Sequence, residues 1–87
     1  MNLNTYGTVI GINKEFSRIA VKLHDGDISV MGVDELSNFA INHVLYGRLN
    51  QATKQLIFNK TVKTDHYINI EATGCNFETA YSFLFSI

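Results

Sequence analysis

The stretch RIAVKLHDGDISVMGV, residues 18–33, limits the fold of this chain more than any other segment. In it, two runs that alternate apolar and polar residues flank Asp25-Gly26, a pair typical of a two-residue type I′ turn. Such a turn places opposite each other residues whose numbers sum to 51, for example Val21 and Val30. The pattern predicts a β-hairpin with one apolar face, and it leaves four residues exposed on the other face: Arg18, Lys22, Ser29 and Met31.

Four further segments alternate in the same way: Tyr6–Ile12, Ile41–Leu49, Leu56–Val62 and Tyr67–Ala72. They place β-branched or aromatic residues at alternating positions and lack an apolar stripe with helical spacing, so we expect strands. Gly7 and Gly11 interrupt the first of them, as expected where a sheet bends sharply or another backbone passes close. Residues 34–38 indicate a turn or one short helical turn, with Asp34 as the capping residue.

The last segment, residues 76–87 (NFETAYSFLFSI), fits two structures. As a helix capped by Asn76, it collects its apolar side chains on one side and places Glu78 beside the positive end of the helix dipole. As a strand, it alternates aromatic residues with serine and leucine, and its aromatic content favours that structure. We favour the helix, because the cap and the acidic first turn both support it.

A chain of 87 residues has room for one hydrophobic core, so we expect a single domain over residues 1–87. Short antiparallel strands in this number usually close into a barrel, because closure removes exposed sheet edges. The predicted fold is therefore mainly β. It is a small antiparallel barrel of five or six strands, followed by a short C-terminal helix at about residues 76–87.

The order of strands and turns resembles that of an OB-type barrel, and residues 6–36 resemble its cold-shock version most. YGTVIGIN stands where that family has a Gly-Thr-Val strand ending in asparagine, and HDGDISVMGVDEL stands where it has an acidic-glycine turn followed by a strand. The resemblance implies an OB-like barrel that binds single strands through aromatic side chains on its middle two strands. This chain departs from that pattern, since Phe16 is the only aromatic residue in the matching stretches EFSRIAV and ISVMGV.

The overall charge gives little support to tight, sequence-independent nucleic-acid binding. The formal net charge is −1, from seven Lys and Arg against eight Asp and Glu, whereas such binding normally needs a basic excess. Between Glu35 and Asp65, however, every charged residue is basic: Arg48, Lys54, Lys60 and Lys63. A local basic patch can form if the barrel brings the first two strands near the fourth and fifth.

No residue pattern indicates catalysis, a metal site or a cofactor. His24, Asp25 and Asp27 cluster at the hairpin turn, where Asp-Gly is needed for the turn geometry in any case. Cys75 stands in no recognisable nucleophile motif, and we expect an inert, partly buried thiol. We therefore expect a protein that is not an enzyme and binds no metal or cofactor.

Nothing in the sequence indicates secretion or membrane insertion. MNLNTYGTVIGIN has no basic segment followed by an apolar block, and no apolar run approaches the ~18 residues that cross a membrane. We expect a cytoplasmic protein.

Two hypotheses on function remain. In the first, the chain is a non-catalytic interaction module that contacts a protein partner or a second copy of itself. The aromatic tail allows two interpretations. Either the whole helix plugs an open end of the barrel and belongs to the core, or part of it, such as Phe83 and Phe85, pairs with a second chain or another protein, which supports this hypothesis. The candidate interface residues are Met31, Val33, Tyr81, Phe83 and Phe85.

The alternative is weak binding of single-stranded RNA or DNA by an OB-like barrel. Basic residues on the first strands and in the second half of the chain would contact phosphates, and one ring would stack on a base. The candidate contacts are Lys14, Phe16, Arg18, Lys22, Arg48 and Lys60.

Overall fold

A computed structural model describes residues 4–86 and confirms a mainly β fold with a closed antiparallel barrel. Its six strands are β1 (Thr5–Asn13), β2 (Arg18–Leu23), β3 (Ile28–Val33), β4 (Val44–Gly47), β5 (Lys54–Asn59) and β6 (Thr64–Cys75). Around the barrel the order is β1-β2-β3-β6-β5-β4, with β4 pairing back to β1. A 3₁₀ turn (Leu36–Asn38) follows β3, and the helix α1 (Phe77–Leu84) follows β6.

The hairpin of β2 and β3 forms, but its predicted type I′ turn and register are wrong by one residue. Opposed residues have numbers that sum to 50, as for Ala20 and Val30. The loop has three residues and is closed by Leu23 and Asp27. The Leu23 N–H donates to the Asp27 carbonyl at 2.8 Å. Gly26 at its end has a φ of +96°, as in a type I turn followed by a left-handed residue. The Asp25 carboxylate accepts from the Asp27 N–H at 3.0 Å, which stabilises this longer loop.

The hairpin is buried on both faces, so the expected exposure of Ser29 and Met31 on its outer face is wrong. Met31 and Val33 point into the barrel interior. Ser29 is also buried, and its hydroxyl donates to the Leu49 carbonyl at 2.6 Å. Met31 and Val33 therefore cannot extend an apolar surface patch, as the interaction hypothesis expected of them.

A β-bulge in β1 lets that strand serve two cores. Ile10 and Gly11 together oppose Ala20, so the strand changes phase after Val9. Val9 packs inside the barrel, whereas Gly11 lies against Leu84 of α1. The bend expected at the glycines of this strand is present as the bulge at Gly11, whereas the atoms close to both glycines belong to side chains and not to another backbone. At Gly7 an added Cβ would come within 2.5 Å of the Val21 side chain.

Helix α1 begins at the predicted cap, where the Asn76 side chain accepts from the Thr79 N–H at 2.8 Å. It lies on the outside of the wall formed by β1, β2, β3 and the end of β6 rather than in a barrel end. A second core of residues from the wall and the helix forms there: Ala20, Ile28, Val30, Cys75, Ala80 and Leu84. The predicted helical residue Ile87 lies outside the described residues.

Several predicted boundaries shift. The strand expected over Ile41–Leu49 is confined to β4, because residues 40–43 form a turn with Asn42 at a φ of 75°. Asp34 does not cap the 3₁₀ turn, whose N-cap is Glu35, and the Glu35 side chain makes no capping hydrogen bond. Within residues 4–86, no helix is long and apolar enough to cross a membrane.

Candidate functional site

The wall of the barrel away from α1 carries a row of aromatic side chains. In the sheet register Tyr6 of β1 lies opposite Tyr46 of β4, which lies opposite Phe58 of β5. These three point outward, because the residues beside them in sequence (Gly7, Leu45, Ile57) point into the barrel. Tyr67 of β6 lies opposite Leu56, on the same outer face. We call Tyr6, Tyr46, Phe58 and Tyr67 the aromatic wall.

The aromatic wall is accessible to solvent at its two ends. Tyr67 is 71% exposed and Tyr6 is 46% exposed, whereas Tyr46 and Phe58 are half-buried between them. The rings of Tyr6 and Tyr46 have centroids 4.5 Å apart. Three inter-strand steps of about 4.8 Å separate β1 from β6 along this wall, a length of about 14 Å. This length accommodates several flat groups side by side.

Basic residues surround the aromatic wall. Lys60 holds its ammonium 5.1 Å from the centre of the Tyr6 ring, which is within cation–π distance. Lys22 extends the same face across β1, since it lies opposite Thr8. Three more cations lie on or next to β4 and β5: Arg48, Lys54 and Lys63.

The charge of the chain is therefore unevenly distributed. Five of its seven Lys and Arg lie on or beside this wall. Of its eight acidic residues, Asp65 lies opposite Phe58, and Asp34 and Glu35 line grooves beside Tyr67 at the β6 end. The expected proximity of the first two strands to the fourth and fifth is confirmed, because β1 pairs with β4. A neutral protein thus presents one basic face.

The backbone beside Arg48 is fixed by a neighbouring amide. The Gln55 side chain accepts from the Arg48 N–H at 2.9 Å and donates to the Arg48 carbonyl at 2.9 Å. This pair ties the end of β4 to β5 and holds position 48 at the edge of the wall.

A cleft of about 410 Å³ adjoins the wall at Tyr67. Its residues are Phe16, Ser17, Gly32, Val33, Asp34, Lys54, Tyr67, Ile68 and Asn69. Gly32 lies between Arg18 and Asn69 in the sheet register. Because Gly32 has no side chain, it leaves a gap between the side chains of these two neighbours. This gap forms the floor of the cleft.

The structure brings together some of the residues predicted to bind nucleic acid and separates others. Lys22, Arg48 and Lys60 lie around the aromatic wall, and Phe16 lines the adjoining cleft. Lys14 lies elsewhere, beside a groove formed by Ile12, Leu36, Ser37 and Phe39.

Arg18 is engaged within the fold. Its guanidinium donates to the carbonyls of Phe83 and Ser86 at the end of α1. It also forms an ion pair with Glu71 at 3.4 Å and lies 5.5 Å from the centre of the Phe16 ring. Within residues 4–86, Arg18 is thus a cap for the helix and is not free to bind phosphate.

The tail residues predicted as a protein interface are divided between core and surface. Phe83 is half-buried against the second core, and Tyr81 lies between Phe77 and Phe85. Phe85 is 55% exposed and Phe77, which the prediction omitted, is 62% exposed. The rings of Phe77, Tyr81 and Phe85 contact one another in a strip along one side of α1, which we call the helix strip, and Tyr81 within it also packs against the second core.

The sequence prediction missed the aromatic wall because it looked for rings on β2 and β3. The segment LIFNK already carried the signal, since Ile57 alternates with Leu56 and Phe58 and only one of these two faces can point inward. Which rings lie side by side depends on the register between strands distant in sequence, which alternation alone does not give.

Of the other reactive groups, Cys75 lies apart from this site, whereas His24 borders it and lines a groove with Tyr6 and Lys22. Cys75 is buried, and burial raises the pKa of its thiol, with the Asp27 carboxylate adding to the effect. His24 at the hairpin turn contacts the Thr5 hydroxyl at 2.9 Å. In the described part of the chain, no three His, Cys, Asp or Glu side chains are placed to hold a metal ion.

No protein-family model matches this chain, and comparisons with curated proteins and with solved structures find no significant match. The geometry of the chain itself is therefore the basis for the proposed function.

Proposed function

We propose that this protein binds single-stranded nucleic acid on the aromatic wall. The supporting observation is the row Tyr6–Tyr46–Phe58 across three neighbouring strands, with the Lys60 ammonium 5.1 Å from the Tyr6 ring. Stacking on aromatic side chains contributes about 1–3 kcal/mol per base, and nearby cations contact the phosphates between the bases. The wall offers both kinds of contact on one surface.

Unpaired bases suit this surface better than a duplex does. The rings lie on the convex outside of the barrel, on the wall away from α1, and a base must leave its own stack to reach them. The −1 net charge argues for modest affinity, because phosphate contacts are limited to the local basic face.

The likeness to an OB-type barrel is part of this proposal. It rests on the closed antiparallel barrel and on the meander of β1, β2 and β3. In this chain the proposed binding surface lies on β1, β4, β5 and β6, whereas the resemblance implied the middle strands β2 and β3. A stacking surface of this kind needs no bond-making chemistry, so we propose a non-catalytic module without metal or cofactor, acting in the cytoplasm.

Removal of exposed rings from the wall tests the proposal. We expect the double variant Tyr6→Ala/Tyr67→Ala to bind a fluorescently labelled U8 oligonucleotide at least ten-fold more weakly than the native protein at 50 mM salt. The reason is the loss of two stacking contacts of about 1–3 kcal/mol each. The control is Phe77→Ala/Phe85→Ala, which removes two exposed rings from the helix strip. Equal affinity of both variants, or no binding by the native protein, would contradict the proposal.

Self-association through the helix strip is a second candidate function. It is favoured by the exposure of Phe77 and Phe85 on either side of Tyr81, since exposed aromatic residues are typical anchors of small interfaces. We expect the native chain to form a dimer in light scattering and Phe77→Ser/Phe85→Ser to be a monomer. A native monomer at high concentration would exclude a second copy as the partner.

A further inference from the structure

We propose that the cleft beside Tyr67 receives one base of the bound strand and prefers guanine. This inference rests on the proposed binding of a single strand to the aromatic wall. Tyr67 belongs to both surfaces, because it ends the wall on β6 and also lines the cleft. A strand that crosses the wall therefore reaches the cleft at its next nucleotide.

The cleft has the size and walls of a base site. Its volume of about 410 Å³ exceeds what one nucleotide fills, and two aromatic side chains, Phe16 and Tyr67, line it. The Val33 N–H donates to the Ser17 carbonyl at 2.9 Å, which holds the turn that carries Phe16 beside the end of β3, and Phe16, Asp34 and Tyr67 line the same cleft. The Arg18 guanidinium is itself held at the end of α1. It lies 5.5 Å from the Phe16 ring centre and stabilises the position of this ring at the side of the cleft.

The polar groups of the cleft are available to a ligand. Asp34, Lys54 and Asn69 line it, and their side chains make no hydrogen bond or ion pair with any residue from 4 to 86. Lys54 brings a positive charge for a phosphate, and the Asn69 amide can both donate and accept. The Asp34 carboxylate is an acceptor only when ionised.

An acceptor-only group at the edge of a base site selects among bases. Guanine presents two adjacent donors on its Watson–Crick edge, N1–H and N2–H, which match the two oxygens of a carboxylate. Uracil and thymine present one N–H flanked by two carbonyl oxygens, which a carboxylate repels. Adenine and cytosine present one amino donor beside a ring-nitrogen acceptor. Asp34 thus favours guanine over all three alternatives.

The test compares U8 with three oligonucleotides that carry one central G, A or C in the same background. We expect the native protein to bind the G-containing strand about ten-fold more tightly than U8, as for a bidentate base contact, and A or C to change affinity little. Absence of this preference in a protein that binds U8 overturns the inference and leaves the proposed function standing. Absence of binding to every strand overturns both.

Two variants localise the preference to the cleft. In Gly32→Val the new side chain rises from the cleft floor, where an added Cβ would lie 3.1 Å from the Glu71 carboxylate, which must shift slightly, and 4.0 Å from the Asn69 carbonyl. Asp34→Asn replaces an exposed acceptor with an amide and leaves the core untouched. Each is expected to abolish the preference for G while binding U8 within three-fold of the native protein.

The matched control is Tyr6→Ala, at the far end of the aromatic wall, which should weaken all four strands equally. Retention of the G preference in Asp34→Asn overturns the inference, and this outcome does not depend on how Gly32→Val folds.

Discussion

At the scale of single residues, Arg18 shows how a basic side chain can be misread from sequence. Arg18 is a basic residue at an outward-alternating position of a predicted strand, which suggested a phosphate contact. Its guanidinium is instead held by two carbonyls at the end of α1 and by Glu71. The residues that receive it lie 53 to 68 positions further along the chain. No local pattern could predict this pairing, because it depends on where the helix packs.

The first prediction follows from that arrangement. Arg18→Ala should lower the free energy of unfolding by about 2–3 kcal/mol, since charge-assisted hydrogen bonds are lost and Glu71 keeps no partner. The free energy of unfolding of Arg18→Lys should lie between those of the native protein and Arg18→Ala. A lysine ammonium keeps the charge, but it cannot reproduce the planar set of donors of the guanidinium. Urea denaturation measures both, with the exposed Lys14→Ala as a control expected to change little. If Arg18→Ala and the native protein unfold at the same urea concentration, Arg18 does not stabilise the fold by capping α1.

The thiol of Cys75 gives a prediction that depends on pH. Because its pKa is raised in the folded chain, the unfolded chain loses this proton first as the pH rises. The contribution of the protonated Cys75 thiol to the free energy of unfolding is fully present below the ordinary thiol pKa. It declines as the pH rises from that value through the raised pKa of the folded chain. The difference in unfolding free energy between native protein and Cys75→Ser should therefore shrink between pH 8 and pH 10.5. A difference that stays constant over this range would contradict the raised pKa.

At the scale of elements, the hairpin shows what one loop residue changes. HDGD fits a two-residue type I′ turn and a three-residue loop equally well, and the two differ by one position in register. The choice is made by Asp25, which keeps a negative φ and bonds the Asp27 N–H, so only Gly26 is left-handed. Alternation predicted the strands correctly because it is a property of each strand alone. It could not predict burial on both faces, because α1 covers the second one.

Substitutions in the loop distinguish the two turns. Gly26→Ala should lower the free energy of unfolding by about 1–2 kcal/mol, the cost of a left-handed residue with a Cβ, and Gly26→Asn should lower it less. Asp25→Gly should also destabilise the protein, because it removes the bond to the Asp27 N–H. In a type I′ turn glycine at position 25 would instead be favourable. Thermal melts that show Asp25→Gly to be more stable than the native protein would reject the three-residue loop.

The packing of α1 gives a second prediction for an element. Leu84 is fully buried against the barrel wall, whereas Phe85 beside it is 55% exposed. Leu84→Ala should lower the free energy of unfolding by about 2–5 kcal/mol, as for other buried leucines, and Phe85→Ala by less than about 1 kcal/mol. Chemical denaturation that gives equal losses for both would mean that the helix does not pack by this face.

At the scale of the whole molecule, the function depends on how closure of the barrel arranges its charges and rings. The sequence gives seven basic and eight acidic residues without saying that five of the basic ones share a wall. That grouping arises because β1, from the start of the chain, pairs with β4 from its middle. The presence of basic residues between Glu35 and Asp65 was visible beforehand. Their meeting with Lys22 was predicted only on the condition that the barrel brings the first strands near the fourth, and the position of Tyr6 among them was not predicted, because both depend on the closed sheet.

Salt dependence tests this arrangement for the molecule as a whole. If about three of the cations around the wall contact phosphates, the logarithm of the U8 association constant should fall against the logarithm of salt concentration with a slope of about −2. Lys22→Ala/Lys60→Ala should make that slope shallower by about 1.4, because two of those contacts are lost. Lys14→Ala removes one positive charge from another part of the surface and should leave the slope unchanged, whereas each charge lost from the wall should change it by about 0.7. A slope near zero would mean that phosphates are not contacted. An equal effect of Lys14→Ala would mean that net charge alone, and not the basic face beside the aromatic wall, attracts the strand.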